Sequence, residues 1–241
     1  MDVKKYGNLI IDRLEGGYFH PDMYKKDPGF FAGRGDKYNA TIDKAYKNSG
    51  ETMFGFDRKA GGNLNKTATM VEFWKLVDQY YKTHHADLTW WGEKGGKFRT
   101  GKASGVPASV GTRLRELAIA TMQKQLDSLA NSYLKPEAKK IVFSDPRLFV
   151  QFLYACWNGS GNFKKFADVM NAAYAKGTRD PDKLETLIQA KRVEIFGTKN
   201  TVQAKLVPQL IAEVAPSGSN KGMLLLFAAL AVGAAFLIFK K

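Results

Sequence analysis

Apolar residues recur at helical spacing along most of this chain. Val3, Tyr6, Ile10 and Leu14 form one stripe, which predicts a helix over 3–15 closed by Gly16 and Gly17. Met70, Phe73, Trp74, Val77, Tyr80 and Tyr81 form a second and stronger stripe, with Thr69 and Glu72 as a capping box at its start. The period resumes at Val110 through Leu114, Leu117, Thr121, Met122, Leu126, Leu129 and Tyr133, and Pro136 stops it. Asp145 and Pro146 then offer a cap and a first helical residue. From Leu148 to Trp157 the sequence is apolar nearly all round, the pattern of a buried central helix. Phe163, Phe166, Ala167, Met170 and Tyr174 predict a further helix closed by Gly177. Asp180 and Pro181 open the next, which carries Leu184, Leu187, Ile188 and Ile195 and closes at Gly197. Residues 201–214 read as a last helix interrupted by Pro208.

Two stretches lack this period. Residues 19–66 are rich in glycine, aspartate, lysine and aromatics, and read as loops with short strands. Residues 86–107 form a second loop, with Trp90 and Trp91 in a Gly/Lys-rich setting suited to stacking on sugar rings or to anchoring the loop. The expected fold is therefore mainly α (α+β), with a small β region, over residues 1–214. Residues 215–221, with Pro216-Ser217-Gly218-Ser219-Asn220, read as a flexible linker. Residues 222–239 are uncharged, almost wholly apolar, and bracketed by Lys221 and Lys240-Lys241. At helical rise such a run spans ~27 Å, enough for a bilayer core, so it is expected to be a single-pass transmembrane helix.

Composition changes this picture in three ways. Net charge is +14, so a polyanionic partner is expected: cell wall, anionic lipid or nucleic acid. The single cysteine, Cys156, rules out an internal disulfide and falls in the apolar helix as a small core residue. His20, His84 and His85 are the only histidines, and their spacing gives no zinc set. Gly92, Gly95 and Gly96 lack the lysine-hydroxyl ending of a phosphate loop. No metal and no cofactor are expected. Residues 1–20 hold no unbroken apolar core, so no secretory signal is expected either.

The chemistry concentrates at the end of the first predicted helix. Glu15 falls in its last turn, where the helix macrodipole disfavours a negative charge. An acid placed there beside an apolar core should hold its proton tightly, as the general acid of glycoside cleavage must. Glu15-Gly16-Gly17-Tyr18, followed by Ser49-Gly50-Glu51-Thr52-Met53-Phe54-Gly55-Phe56, resembles the opening of peptidoglycan-cleaving enzymes of the lysozyme superfamily from phages and bacteria. Tyr154-Ala155-Cys156-Trp157-Asn158-Gly159 is similar to the Ala-Tyr-Asn-x-Gly motif of goose-type lysozymes and lytic transglycosylases, with Trp157 where tyrosine is common. The resemblance covers roughly residues 1 to 175.

That resemblance implies a lysozyme-like domain in which Glu15 is the catalytic acid. Glu51 and Thr52 would shape the cleft or position water. Asn158, with Trp157 and Gly159 beside it, would hold the sugar or orient the acid; an ordinary Asn-Gly turn is the plainer reading of the same residues. Hydrolysis wants a second carboxylate, for which Asp22, Asp27, Asp36, Glu51 and Asp57 are candidates, whereas a lytic transglycosylase needs one acid only. The expected function is cleavage of the MurNAc-GlcNAc strand of peptidoglycan by a muramidase or lytic transglycosylase. The expected partners are peptidoglycan, a lipid bilayer, and capsid or other virion proteins, with no specific nucleic acid. The expected location is the internal membrane of a phage virion or the host cell membrane. The alternative is a non-catalytic, basic, membrane-anchored structural protein of a membrane-containing virion, which the charge and the apolar tail fit equally well.

Overall fold

The computed structural model describes residues 1–15, 18–19, 50, 52–59, 62–84, 108–197 and 206–216. At some of these, Glu15, Tyr18, Phe19, Thr52 and Met53 among them, only the backbone is described. The described residues are mainly helical. In chain order they form α1 (Val3–Ile10), a π-helical turn (Ile11–Glu15), β1 (Tyr18–Phe19), β2 (Thr52–Met53), β3 (Phe56–Asp57) and a 3₁₀ turn (Gly62–Lys66). Next come α2 (Ala68–His84), α3 (Ala108–Tyr133), α4 (Pro136–Val142), α5 (Pro146–Trp157), α6 (Ser160–Ala175), α7 (Pro181–Phe196) and α8 (Val207–Val214). They divide into two compact units, one of Met1–Ile10 with Met122–Lys241, the other of Ile11–Thr121.

In the first unit everything is built on α5, which touches α1, α4, α6, α7 and α8. Every residue from Arg147 to Cys156 is buried, as the all-round apolar pattern requires. Its start is set by chemistry: Asp145 caps it by accepting from the backbone N–H groups of Arg147 and Leu148, and Pro146 takes the first turn. Phe152 meets Phe163 and Phe166 edge-on, with ring centres 5.2 and 6.0 Å apart. Tyr6 of α1 meets Phe149 in the same way at 5.5 Å. Cys156 is buried, its thiol donating to the Leu153 carbonyl at 3.0 Å, and burial pushes its pKa well up.

A charged group also lies in this core. Arg147 is 4% exposed; its Nε and Nη2 donate to Asp145 Oδ1 and Oδ2 at 3.1 and 2.7 Å, and its Nη1 donates to Asp182 at the start of α7. Burial alone would pull the guanidinium down; the hydrogen bonds and charges of Asp145 and Asp182 outweigh it and raise its pKa. Deeper along the same pair of helices, Gln151 Nε2 donates to Glu185 at 3.3 Å. Burial raises the Glu185 pKa, against the pull of Gln189, Arg192 and Arg147. Arg192 is itself drawn down to about 10 by burial, with Glu185 and Tyr154 opposing.

A carboxyl whose pKa is raised by folding binds more protons folded than unfolded, so its contribution to stability falls as pH rises. For Glu185 that contribution is whole below the ordinary value of 4.5 and is lost as pH passes through the raised value. The unfolding free energy of the parental protein minus that of Glu185→Gln should therefore shrink from pH 4.5 towards neutrality. A difference that grows over that range would contradict the assignment.

The second unit holds the small β region. β1, β2 and β3 form an antiparallel three-stranded sheet in that order. The β2–β3 link is a two-residue turn, Phe54-Gly55, with φ of 50° and 82°. Two positive φ values in a row match the right-handed twist of a hairpin, and the first is costly for a bulky residue. Phe54 accepts it while almost wholly covered, at 1% exposure. Behind the sheet, Phe56 stacks edge-on against Phe73 of α2 at 4.9 Å. Asn65 ties the 3₁₀ turn to both neighbours: it accepts from Trp74 Nε1 at 2.9 Å and donates to the Asp57 and Arg58 carbonyls at 3.0 and 2.6 Å. Arg58 forks onto Asp78 at 2.6 and 2.8 Å.

Several boundaries differ from the sequence expectation. The first helix is α-helical only to Ile10; the chain then widens into the π turn, which resets the register, so Ile11 is fully buried and Leu14 only half so. The cap of α2 is Thr67, whose Oγ1 accepts from Met70 N–H at 3.4 Å, and Thr69 lies inside the helix. Pro136 does not merely stop α3; it occupies the first turn of α4. Pro208 lies in the first turn of α8, and residues 201–205 of the helix expected there lie outside the described residues. Residues 16–17, 85–107 and 217–241, including the predicted anchor over 222–239, lie outside the described residues. Among the described residues no helix is long and apolar enough to cross a membrane.

Candidate active site

The π turn ends at Glu15, and three residues later the chain enters β1. π turns are rare and concentrate at functional sites, because the extra residue they hold strains the helix and re-aims the chain beyond it. In β1, Tyr18 lies opposite Met53 and Phe19 opposite Thr52. Neighbouring strands run ~4.8 Å apart. The Glu-Gly-Gly-Tyr and Gly-Glu-Thr segments, more than thirty residues apart in sequence, thus lead into adjacent strands of one sheet. Thr52 also pairs with Asp57 on its other side, at the centre of the sheet.

Gly50 leads into β2 with φ +72°, and a Cβ there would stand 2.8 Å from Lys59 Cγ. Only glycine suits both the conformation and the space. Glu51, Trp90 and Trp91 lie outside the described residues, as do the other carboxylate candidates Asp22, Asp27 and Asp36. Asp57 is half-buried at the end of the hairpin, and its carbonyl accepts from Asn65. The expectation of a tightly held proton on Glu15 concerns a side chain outside the described part of that residue.

Comparison with protein-family models, with curated proteins and with solved structures finds no match to this chain.

Trp157, Asn158 and Gly159 belong to the other unit, where α5 ends. Asn158 is exposed and closes the helix: its Nδ2 donates to the Tyr154 carbonyl at 2.9 Å, and its own carbonyl accepts from Asn162 Nδ2 at 3.2 Å. One N–H of the amide is thus used within its own helix, which is the ordinary helix-ending role of an Asn-Gly pair. Gly159, at φ +109°, turns the chain into α6. Trp157 is half-buried.

Beside Asn158 lies a pocket lined by Gln151, Tyr154, Phe166, Arg192, Phe196 and Val207. Its empty space is about 250 Å³, open solvent included. It has room for about one water rather than a sugar ring. Sequence periodicity placed Gln151 and Arg192 nowhere in particular, and the structure buries both. Among the described residues no group of three or more His, Cys, Asp or Glu side chains is set to hold a metal ion.

Proposed function

We propose that this chain cleaves the glycan strands of peptidoglycan, as a lysozyme-type hydrolase or a lytic transglycosylase with a lysozyme-like domain over residues 1–214. The observation that carries the reading is the strand pairing of Tyr18–Phe19 with Thr52–Met53, directly after a π turn that ends on Glu15. It pairs the strand that follows the helix-terminal acid with the central strand that begins at Thr52, in antiparallel register. Glu15 is the general acid that protonates the glycosidic oxygen, since an acid at a helix C-terminus is disposed to keep its proton. Glu51 and Thr52 shape the cleft or position water; Asn158 with Trp157 and Gly159, and Trp90 with Trp91, contact sugar. The net charge of +14 favours binding to an anionic wall.

The test is the full-length protein on purified cell walls, with the released muropeptides read by mass spectrometry. Reducing ends support hydrolysis, the course we favour; ends lighter by one water support transglycosylation. Intact walls after prolonged incubation would sink the glycosidase reading and leave the basic, membrane-anchored structural protein.

The apolar run over 222–239 is the proposed anchor, suited to the internal membrane of a phage virion or to a host cell membrane. The full chain should float with liposomes in a density gradient, and a chain ending at Ala215 should stay at the bottom. Flotation of the shortened chain would overturn the anchor.

A further inference from the structure

Two costly backbone features of the second unit are spanned by one side chain. Arg115, on α3, places Nη1 2.7 Å from Asp12 Oδ1 inside the π turn. Its guanidinium carbon lies 5.5 Å from the centre of the Phe54 ring, at the tip of the β2–β3 hairpin. The π turn holds one residue more than an α turn, and relaxing it would rotate the residues beyond it by roughly 100°. Glu15 is the last residue of that turn. The hairpin, for its part, keeps a bulky aromatic at positive φ, a conformation that persists only when its surroundings hold it. A planar cation lying against the ring, and paired with a carboxylate, suits both tasks, as a lysine would not.

We propose that Arg115 is the positioning residue of this site, holding the π turn through Asp12 and the hairpin through Phe54, so that the acid and the sheet keep one geometry. The proposal rests on the glycosidase reading of Glu15. Arg115 touches no substrate in this scheme; it acts through the backbone on either side.

The Asp12–Arg115 pair is partly solvated, at 42% and 25% side-chain exposure, so its loss should move folding stability little. Misplacing a catalytic group by an ångström costs far more in rate. In the full-length protein, Arg115→Met should lower kcat on soluble glycan fragments about ten- to a hundredfold with KM nearly unchanged. Asp12→Asn, the milder variant should Arg115→Met fail to fold, should show the same split. The double variant should be little worse than Arg115→Met alone, since the Asp12 contact is already lost there. Arg115→Lys should recover part of the loss. Amide hydrogen exchange over residues 11–15 should quicken in Arg115→Met and Asp12→Asn.

Parental kcat in both single variants, additive losses, a change in KM alone, or unchanged exchange would each overturn the proposal. A parental protein that cuts no glycan, or a Glu15→Gln variant that cuts at the parental rate, would instead remove the acid being positioned. That failure is told apart because it is seen without touching Arg115 or Asp12.

Discussion

Replacing Glu15 with glutamine should abolish cleavage of purified walls and leave the fold intact. The change keeps the size and polarity of the side chain and deletes the one transferable proton. A general acid contributes typically ~10²–10⁴-fold, so turnover should fall by about that factor. Thermal unfolding should stay where it was, because Glu15 ends a turn and holds no helix interior. Clearing of walls by the glutamine variant at the parental rate would remove Glu15 from the mechanism. A variant that loses activity and folding together would say only that the residue is structural.

Removing Asp145 should produce the largest loss of stability of any single polar change in the first unit. Its carboxylate caps α5 through the Arg147 and Leu148 N–H groups and pairs with the Arg147 guanidinium, at 6% exposure. Asp145→Ala leaves Arg147 buried with Asp182 alone, and Asp182 is half-exposed. Breaking a buried ion pair from one side costs ~3–5 kcal/mol, and a lost cap adds ~1 kcal/mol. With Asp182 still in place, about 3 kcal/mol is expected, a fall in melting temperature of about 10 °C for a protein of this size. Asp145→Asn keeps a cap acceptor and should lose less. Asp182→Ala should lose least, because its partner retains Asp145. An Asp145→Ala protein as stable as the parent would show that the buried arginine needs no counter-charge.

The physics of each position decides how much of it was legible in the sequence. The central helix was readable because burial on every side leaves only one kind of residue, and Asp145-Pro146 is a start signal with its own chemistry. Gly177 and Gly197 close α6 and α7 where expected, both at positive φ. The π turn was not readable: an i, i+4, i+8 stripe through Tyr6, Ile10 and Leu14 looks continuous, and nothing local announces the extra residue. Buried Arg147 was hidden for a similar reason. Its partner Asp182 lies 35 residues away, and charge spacing within one helix cannot report a pairing between two. The strand pairing of Tyr18 with Met53 is long-range too. Two-residue strands have no alternation to read, so nothing in the sequence announces which segments pair. Asn158 was legible as a helix end, and its hydrogen bond to Tyr154 is the local one an Asn-Gly pair favours.

The burial of Cys156 has a practical side. A thiol enclosed by packing and held in its neutral form is a poor nucleophile, so maleimides and iodoacetamides should leave the native chain unmodified. The natural sequence is then already a blank background for site-specific labelling. A cysteine substituted at exposed Lys165 or Lys75, on one unit and the other, would be the sole reactive thiol in its variant. Placed together, the pair could carry a donor and an acceptor dye, and energy transfer would track the separation of the two units while glycan is added, with no need to remove the native residue first.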